Sequence, residues 1–410
     1  MFNLFSLKGG LNNVEGFFCD GVNVGMKTNP ANSGTTDIDG DVAFIRSEVP
    51  CDITARFTAN KFQAAPIKHY QKYPKDFKTN FILMNAKNAN AMTGEKGIED
   101  IDAIFEKLKE QRDRSAPTIS ILNPIMSSTG VIGYRLNQEK ITSAFDKFDY
   151  TAKNSDKTAR SIMTTDQFKK ELAFKVELDD GTSFNIAAIC KGAGMINPAM
   201  ATMLCFVTTD ADIPKADMEE LLSDATEGSF NRISVDGDTS TNDTIMLLAN
   251  KVSGAYNKEA FREALNKITF ELAMMILKDG EGATKLVAFE VKGAKSEADA
   301  RTASIALSNS LLVKTALFGE DPNWGRIAST IGASGIVCDD TTLTIHYDKL
   351  LIYSNEQREL DKEREDKAYV IMKNSSFKVT CDLGLGEGSY TSYGCDLSYD
   401  YVKINAEYRT

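Results

Sequence analysis

Histidine is scarce in this chain, with only His69 and His346 among 410 residues. A Ser-His-Asp triad or a multi-histidine metal site would have to use one or both of them. The alternating segment TLTIHYD predicts that His346 is a structural residue of a strand, and the polar segment PIKHYQKYPK predicts an exposed His69. The scarcity favours chemistry whose base is another group, and an N-terminal amine fits that need.

The chain also lacks a net positive charge, closely spaced cysteine pairs and long apolar runs. A net charge of −11 argues against nonspecific nucleic-acid binding. The seven cysteines are scattered singly without a C-x-x-C pair, which indicates a reducing compartment rather than a disulfide framework. No apolar run approaches the roughly 18–20 residues of a membrane span, and MFNLFSLKGG does not have the pattern of a signal peptide. We therefore expect a cytoplasmic protein that binds neither membrane nor nucleic acid.

Motifs for metals and nucleotide cofactors are incomplete. Asp236-x-Asp238-x-Ser240 begins like a calcium loop, but Thr241 stands where glycine is required and Leu247 where glutamate is required. No phosphate-binding G-x-x-x-x-G-K-[ST] motif occurs, and the glycine-rich stretches do not have the spacing of a dinucleotide-binding loop. We expect no metal and no nucleotide cofactor.

Helical and strand periodicities alternate along the chain and predict a mixed α/β class. Apolar residues at helical spacing predict helices over 101–108 and 261–275, and a third over about 296–312. Period-2 alternation on both sides of the Asp-Asp-Gly turn at 179–181 predicts a hairpin. Its second strand would end at Lys191.

The segment 191–206, KGAGMINPAMATMLCF, holds the first candidate for catalysis. A glycine-broken approach leads to Ala201-Thr202, and an apolar run follows. A cut before Thr202 would free an α-amino group with a pKa of about 7.7–8.0, which could take the proton from the threonine's own hydroxyl. From these residues alone, the commoner interpretation is a strand that begins after a Gly/Pro loop.

Seven further blocks stand in the same order as in a known family. They are NAKNANAMTGEKG (85–97), SSTGVIG (127–133), IMTTDQF (162–168), SFNRISVDGDTSTND (229–243), KDGEGATK (278–285), LVKTALFGEDPNWGRI (312–327) and GCDLSYDYVKINAEYRT (394–410). With 191–206, they resemble the glutamate N-acetyltransferase/ornithine acetyltransferase family of arginine biosynthesis over nearly the whole chain. The resemblance implies autocatalytic cleavage between Ala201 and Thr202.

The resemblance also implies the fold and its division. The family has an αββα-type sandwich of the self-cleaving aminopeptidase/ornithine acetyltransferase kind, with a smaller C-terminal α/β domain. We place the main domain at 1–280, with the cleavage site inside it, and the C-terminal domain at 281–410. Cleavage would give an α chain of 1–201 and a β chain of 202–410.

An oxyanion hole and a substrate site follow from the same resemblance. It implies that Thr202 is the nucleophile and that the Thr129 hydroxyl and the Gly130 N–H hold the oxyanion, although S-T-G alone is typical of a turn. A lysine ammonium can bind the carboxylate of an amino acid, and a carboxylate can bind its ammonium. The implied substrate contacts are Thr165, Lys191, Thr202, Glu281, Asn405 and the terminal Thr410.

The implied activity is transfer of acetyl from N2-acetyl-L-ornithine to L-glutamate through an acetyl-Thr202 ester, with ping-pong kinetics. Acetyl-CoA as a second acetyl donor stays open, because the family divides on this point. The family's two fragments stay together and pair into an α2β2 heterotetramer.

Two alternatives remain open from the sequence. A self-cleaving N-terminal-threonine aminopeptidase or amidohydrolase on the same scaffold would use water as the acceptor. A non-catalytic binding protein could also keep the fold, although the joint presence of the implied site residues argues against it.

Overall fold

The computed structural model describes residues 1–27, 40–115, 117–198 and 203–407. The predicted cleavage residues Ala201 and Thr202 and the predicted contact Thr410 lie outside these ranges. No helix within them combines the length and the apolar character needed to cross a membrane.

The strands, in chain order, are β1 (Phe2–Leu7), β2 (Phe17–Val22), β3 (Val42–Phe57), β4 (Lys78–Asn85), β5 (Ile125–Ser128), β6 (Lys170–Leu178), β7 (Ser183–Lys191), β8 (Leu204–Thr209), β9 (Ile233–Ser234), β10 (Thr244–Ala249), β11 (Leu286–Ala294), β12 (Thr344–Tyr347), β13 (Leu350–Tyr353), β14 (Ser376–Asp382) and β15 (Gly388–Cys395).

The helices are α1 (Ala65–Tyr70), α2 (Gly94–Ser115), α3 (Gln138–Thr142), α4 (Ser155–Ser161), α5 (Lys215–Gly228), α6 (Lys258–Lys278), α7 (Glu297–Asn309), α8 (Leu311–Phe318), α9 (Trp324–Ala333), α10 (Lys362–Met372) and α11 (Tyr399–Glu407).

Strand β3 folds the first sheet back on itself. The sheet runs β1-β6-β7-β8-β10-β3-β4-β5, with β2 also paired to β3. The first half of β3 pairs with β2 and β4, its second half pairs with β10, and the register with β4 shifts between Arg46 and Cys51. Inward-facing side chains from both halves, such as Ile82 and Phe206, meet in one buried core. The sheet therefore forms two stacked β layers.

Helices cover both outer faces of these layers. Side chains alternate along a strand, so Ile186 of β7 faces outward, opposite to its inward-facing neighbour, and packs with Leu221 of α5 and Leu265 of α6. On the other side, Phe81 of β4 packs with Ile101 of α2. The order of layers is α–β–β–α, and the predicted sandwich is confirmed.

A second sheet forms a smaller α/β unit. Its order is β13-β12-β14-β11-β15-β9, and α7 packs on β11 and β15 around a separate apolar core. The short strand β9 belongs to this sheet although it precedes residue 280 in the chain. The domain division at residue 280 stays a prediction.

Local sequence signals account for the elements nearest the cavity described below. Helix α6 begins where the Asn257 side chain accepts the Ala260 N–H, and Leu265 and Leu272 lie on its buried face. The predicted hairpin is confirmed, because β6 and β7 pair in register around the turn at 179–181. Lys191 ends β7, as the hairpin prediction required, and it pairs with Leu204 of β8.

Two sequence predictions need correction. The helix expected over 296–312 is divided into α7 and α8, because Ser310 has an extended backbone and its hydroxyl caps α8 by accepting the Val313 N–H.

His69 is buried, not exposed: it lies in α1 at 5% exposure, and its Nε2 lies 3.0 Å from Asp102 Oδ1. Burial lowers the pKa of His69 despite this carboxylate. His346 lies in strand β12, as predicted.

One buried lysine joins three segments of the chain. Lys170 Nζ lies 2.7 Å from Asp166 Oδ1 and 2.5 Å from Asp279 Oδ2, and all three side chains are fully buried. Asp166 also accepts the Gly192 N–H at 2.8 Å, and Asp279 accepts the Gln167 N–H at 3.1 Å. Burial alone would raise the pKa of Asp166, but the lysine charges nearby outweigh it and hold the pKa below its usual range.

We expect Lys170→Met to lower the free energy of unfolding by about 3–5 kcal/mol, because it removes the cation that both buried carboxylates contact. Lys175→Met is the matched control, since Lys175 lies on the same strand and pairs with Glu177 where both side chains are about 40% exposed. The control should change stability by about 1 kcal/mol or less. Urea unfolding followed by circular dichroism measures both. Equal stability of the two variants would contradict this account.

Candidate functional site

Segments from both sheets surround a cavity of about 110 Å³. Six of the residues predicted for the site line it: Thr129, Gly130, Thr165, Lys191, Glu281 and Asn405. They come from distant parts of the chain, so only the folded protein brings them together. Their individual roles stay predictions. Ala201, Thr202 and Thr410 lie outside the described residues.

Thr129 and Gly130 directly follow β5, where the backbone is tightly held. The Thr129 N–H donates to the Asn85 carbonyl at 3.0 Å. Gly130 has a φ of 129°, and a Cβ there would lie 2.5 Å from the Asn88 nitrogen. No side chain fits at such a distance, so this position requires glycine. A fixed backbone next to a buried hydroxyl is the arrangement that an oxyanion hole requires.

Asn242 holds the backbone beside Thr129 and Gly130 in place. Its side-chain nitrogen donates to the Ser128 carbonyl at 2.8 Å and to the Ala89 carbonyl at 2.7 Å. These two contacts join the end of β5 to the segment after β4. Asn242 therefore fixes the backbone that leads into Thr129.

Lys191 supplies positive charge to the cavity. Its side chain is buried, with the residue at 4% exposure. Burial and the nearby charge of Lys191 together lower the pKa of Lys87 to about 8. Lys191 also contributes to the depressed pKa of Asp166, so its charge acts on both of these neighbouring groups.

Glu281 supplies negative charge to the same cavity, at 7% exposure. Its backbone N–H donates to the Ala193 carbonyl at 2.9 Å, and its Oε2 accepts the Asn405 side-chain N–H at 2.8 Å. A Cβ at Gly194 would lie 2.5 Å from this carboxylate. The glycine loop after β7 therefore leaves the space that the Glu281 carboxylate occupies.

Asp236 holds the glycine loop from the other side. Its carboxylate accepts the N–H groups of Met195 at 2.7 Å and Ile196 at 2.9 Å, and Tyr401 Oη lies 3.3 Å from it. Asp236 thus acts as a brace for the loop that leads to the predicted cleavage site.

Asp236, Asn242 and Tyr401 were not among the site residues predicted from the sequence. All three belong to blocks that carried the family resemblance. Their spacing has no periodicity, and the incomplete calcium-loop motif that begins at Asp236 does not indicate a cavity residue.

The cavity combines a cation, an anion and a fixed hydroxyl–glycine pair. Lys191 matches the carboxylate of an amino acid, and Glu281 matches an ammonium. A zwitterionic substrate therefore has a buried partner for each of its charges.

Comparison with known proteins gives one family. The model of the ArgJ family matches residues 19–410. "Arginine biosynthesis bifunctional protein ArgJ" of Wolinella succinogenes is 55% identical over 410 residues, covering all of both chains. The protein of the same name from Caldanaerobacter subterraneus is 39% identical, covering 98% of this chain and 99% of its own.

Among solved structures, the arginine biosynthesis bifunctional protein argJ of Bacillus halodurans is similar at 38% identity. It covers 50% of this chain and 98% of its own, with a TM-score of 0.47. The match to the family model and the relatives aligned over nearly their whole length assign the family without this solved structure. The chain therefore belongs to the ArgJ family of arginine-biosynthesis proteins.

Proposed function

We propose that the cavity is the acetyl-transfer site of this arginine-biosynthesis enzyme, where acetyl passes from N2-acetyl-L-ornithine to L-glutamate. The observation that carries the proposal is the opposite charge of Lys191 and Glu281 on one small cavity that also holds Thr129 and Gly130. Burial strengthens such charges toward a substrate, because less water screens them. Thr165, Asn405 and Thr410 complete the proposed substrate contacts.

Self-cleavage prepares the nucleophile in this proposal. The Thr202 hydroxyl attacks the Ala201 carbonyl, and the acyl group moves from nitrogen to oxygen. Water then hydrolyses the ester and leaves chains 1–201 and 202–410. Leu204, which pairs with Lys191 of the cavity, is two positions after Thr202 in the sequence.

Transfer then proceeds in two half-reactions. The free Thr202 amine accepts the hydroxyl proton while the oxygen attacks the acetyl carbonyl of N-acetylornithine. The Thr129 hydroxyl and the Gly130 N–H donate to the oxyanion, and the departing ornithine amine takes the proton. Glutamate enters, and its amine attacks the acetyl-Thr202 ester to give N-acetylglutamate.

Several finer points of the proposal stay predictions. They are the use of acetyl-CoA as a second donor, the α2β2 assembly and the cytoplasmic location. The hydrolase alternative differs from the transferase only in the acceptor, so product analysis decides between them.

We expect ornithine release from N-acetylornithine to be at least about tenfold faster with glutamate present, and N-acetylglutamate to form in equal amount. Without glutamate, acetyl should stay on the enzyme after one turnover, because the acceptor is missing. Chromatography of the products with and without glutamate measures this. Equal rates of ornithine release, with free acetate as the product, would identify a hydrolase instead.

We expect Gly194→Ala to raise KM for N-acetylornithine about tenfold or more, because the new Cβ displaces the Glu281 carboxylate. Steady-state kinetics at saturating glutamate measure the effect. Gly228→Ala is the matched control, since a Cβ there meets nothing within 4 Å, and it should leave KM unchanged. A wild-type KM in Gly194→Ala would show that Glu281 does not bind the substrate.

A further inference from the structure

Apolar side chains are few in the cavity, and the proposed mechanism uses none of them. Among the described residues that line it, Ala89, Ile132 and Met195 have wholly apolar side chains, while most of the others carry charges, hydroxyls or amides. An N-acyl amino acid brings an apolar methyl group as well as its charges. Removing a methyl group from water is favourable where an apolar partner replaces the water. These three side chains are therefore the candidates for contact with the acyl group.

Ile132 is the candidate that comes two residues after the hydroxyl–glycine pair in the chain. The backbone on both sides of it is fixed, because the Ala89 N–H donates to the Val131 carbonyl and the Gly133 N–H donates to the Ala91 carbonyl, each at 3.0 Å. Isoleucine is also stiff at χ1, because two heavy atoms branch from its Cβ. The Ile132 side chain thus forms a firm part of the cavity wall next to the pair.

Met195 belongs to the wall that holds Glu281. It directly follows Gly194, where the missing Cβ leaves space for the Glu281 carboxylate, and its own N–H donates to Asp236 at 2.7 Å. Met195 is 36% exposed and Ile132 is 37% exposed, so the two differ in their place in the cavity and not in their burial. Met195 is therefore placed toward the ammonium group of the substrate rather than toward its acyl group.

We propose that Ile132 is a specificity-determining residue: its side chain contacts the methyl group of the acyl donor and limits the donor to a short acyl group. This inference rests on the proposed function, in which the Thr129 hydroxyl and the Gly130 N–H hold the acyl oxygen. The methyl group and that oxygen are bonded to the same carbon atom, so a fixed oxygen keeps the methyl group near the pair. The adjoining side chain then decides how many carbon atoms fit.

The small cavity and the stiff side chain predict the exclusion of longer acyl groups. The cavity of about 110 Å³ must also take the amino-acid part of the donor. A propionyl group adds one methylene and would have to displace Ile132, which its own backbone and χ1 hold in place. The chemistry is unchanged, because any acyl group that fits passes through the same ester and needs no further reactant.

The direct test compares N2-propionyl-L-ornithine with N2-acetyl-L-ornithine as donors at saturating glutamate. We expect wild-type enzyme to prefer the acetyl donor, and the ratio of kcat/KM for propionyl over acetyl to rise about tenfold or more in Ile132→Ala. The reason is that a hydrophobic pocket discriminates by about 10–200-fold for one methylene, and the shorter side chain leaves room for it. An unchanged ratio, or a wild-type enzyme that uses both donors equally well, overturns the proposal.

Met195→Ala is the matched control, because it removes an apolar side chain of nearly equal exposure from the same cavity. It should leave the ratio of the two donors as in wild type. An equal rise in both variants would show that cavity volume alone sets the acyl length, and this too overturns the proposal. If Ile132→Ala does not fold, Ile132→Val decides: it removes one methyl group, and the ratio should rise by a smaller factor rather than stay unchanged.

A second measurement follows the first half-reaction alone. Without glutamate the acyl group stays on the enzyme, and intact mass distinguishes a propionyl from an acetyl adduct. Ile132→Ala should take up propionyl faster than wild-type enzyme does. If wild-type enzyme takes up no acetyl, the proposed function fails. If wild-type enzyme transfers acetyl but Ile132→Ala takes up propionyl no faster, only this inference fails.

Discussion

The fully buried contact of Lys170 with Asp166 and Asp279 is the constraint on which the site depends. Two carboxylates in an apolar interior require a cation, and Lys170 meets both. Asp166 directly follows Thr165 and also holds the glycine loop, while Asp279 immediately precedes the turn that carries Glu281. Lys170 therefore fixes the relative positions of three segments that line the cavity: the one with Thr165, the glycine loop and the turn with Glu281. These buried ion pairs hold this part of the fold together.

Elements governed by local interactions could be predicted from the sequence. The helix α6 and the β6–β7 hairpin depend on caps, turns and periodicities that lie within a few residues. The course of β3 across two layers, the addition of β9 to the second sheet and the burial of His69 depend on partners far along the chain. Ser310 interrupts a continuous apolar pattern through a hydroxyl cap, which periodicity alone does not distinguish from a helix interior.

In the candidate site, too, some residues could be predicted from the sequence and others could not. The residues with chemical roles could be named, because the family resemblance fixes their positions in the blocks. The residues that hold them could not, because Asp236 and Asn242 act through backbone contacts that only the fold creates. A carboxylate that accepts N–H groups from a loop looks the same in sequence as one that faces solvent. Burial and register distinguish them.

The central claim is that Thr202 becomes a free N-terminal nucleophile that carries acetyl between two amino acids. The most direct test is the intact mass under denaturing conditions, before and after a short acid-quenched incubation with N-acetylornithine. The account predicts two fragments split between Ala201 and Thr202, with one acetyl group gained by the fragment 202–410. A single uncut chain of 45.0 kDa that never gains acetyl would contradict it.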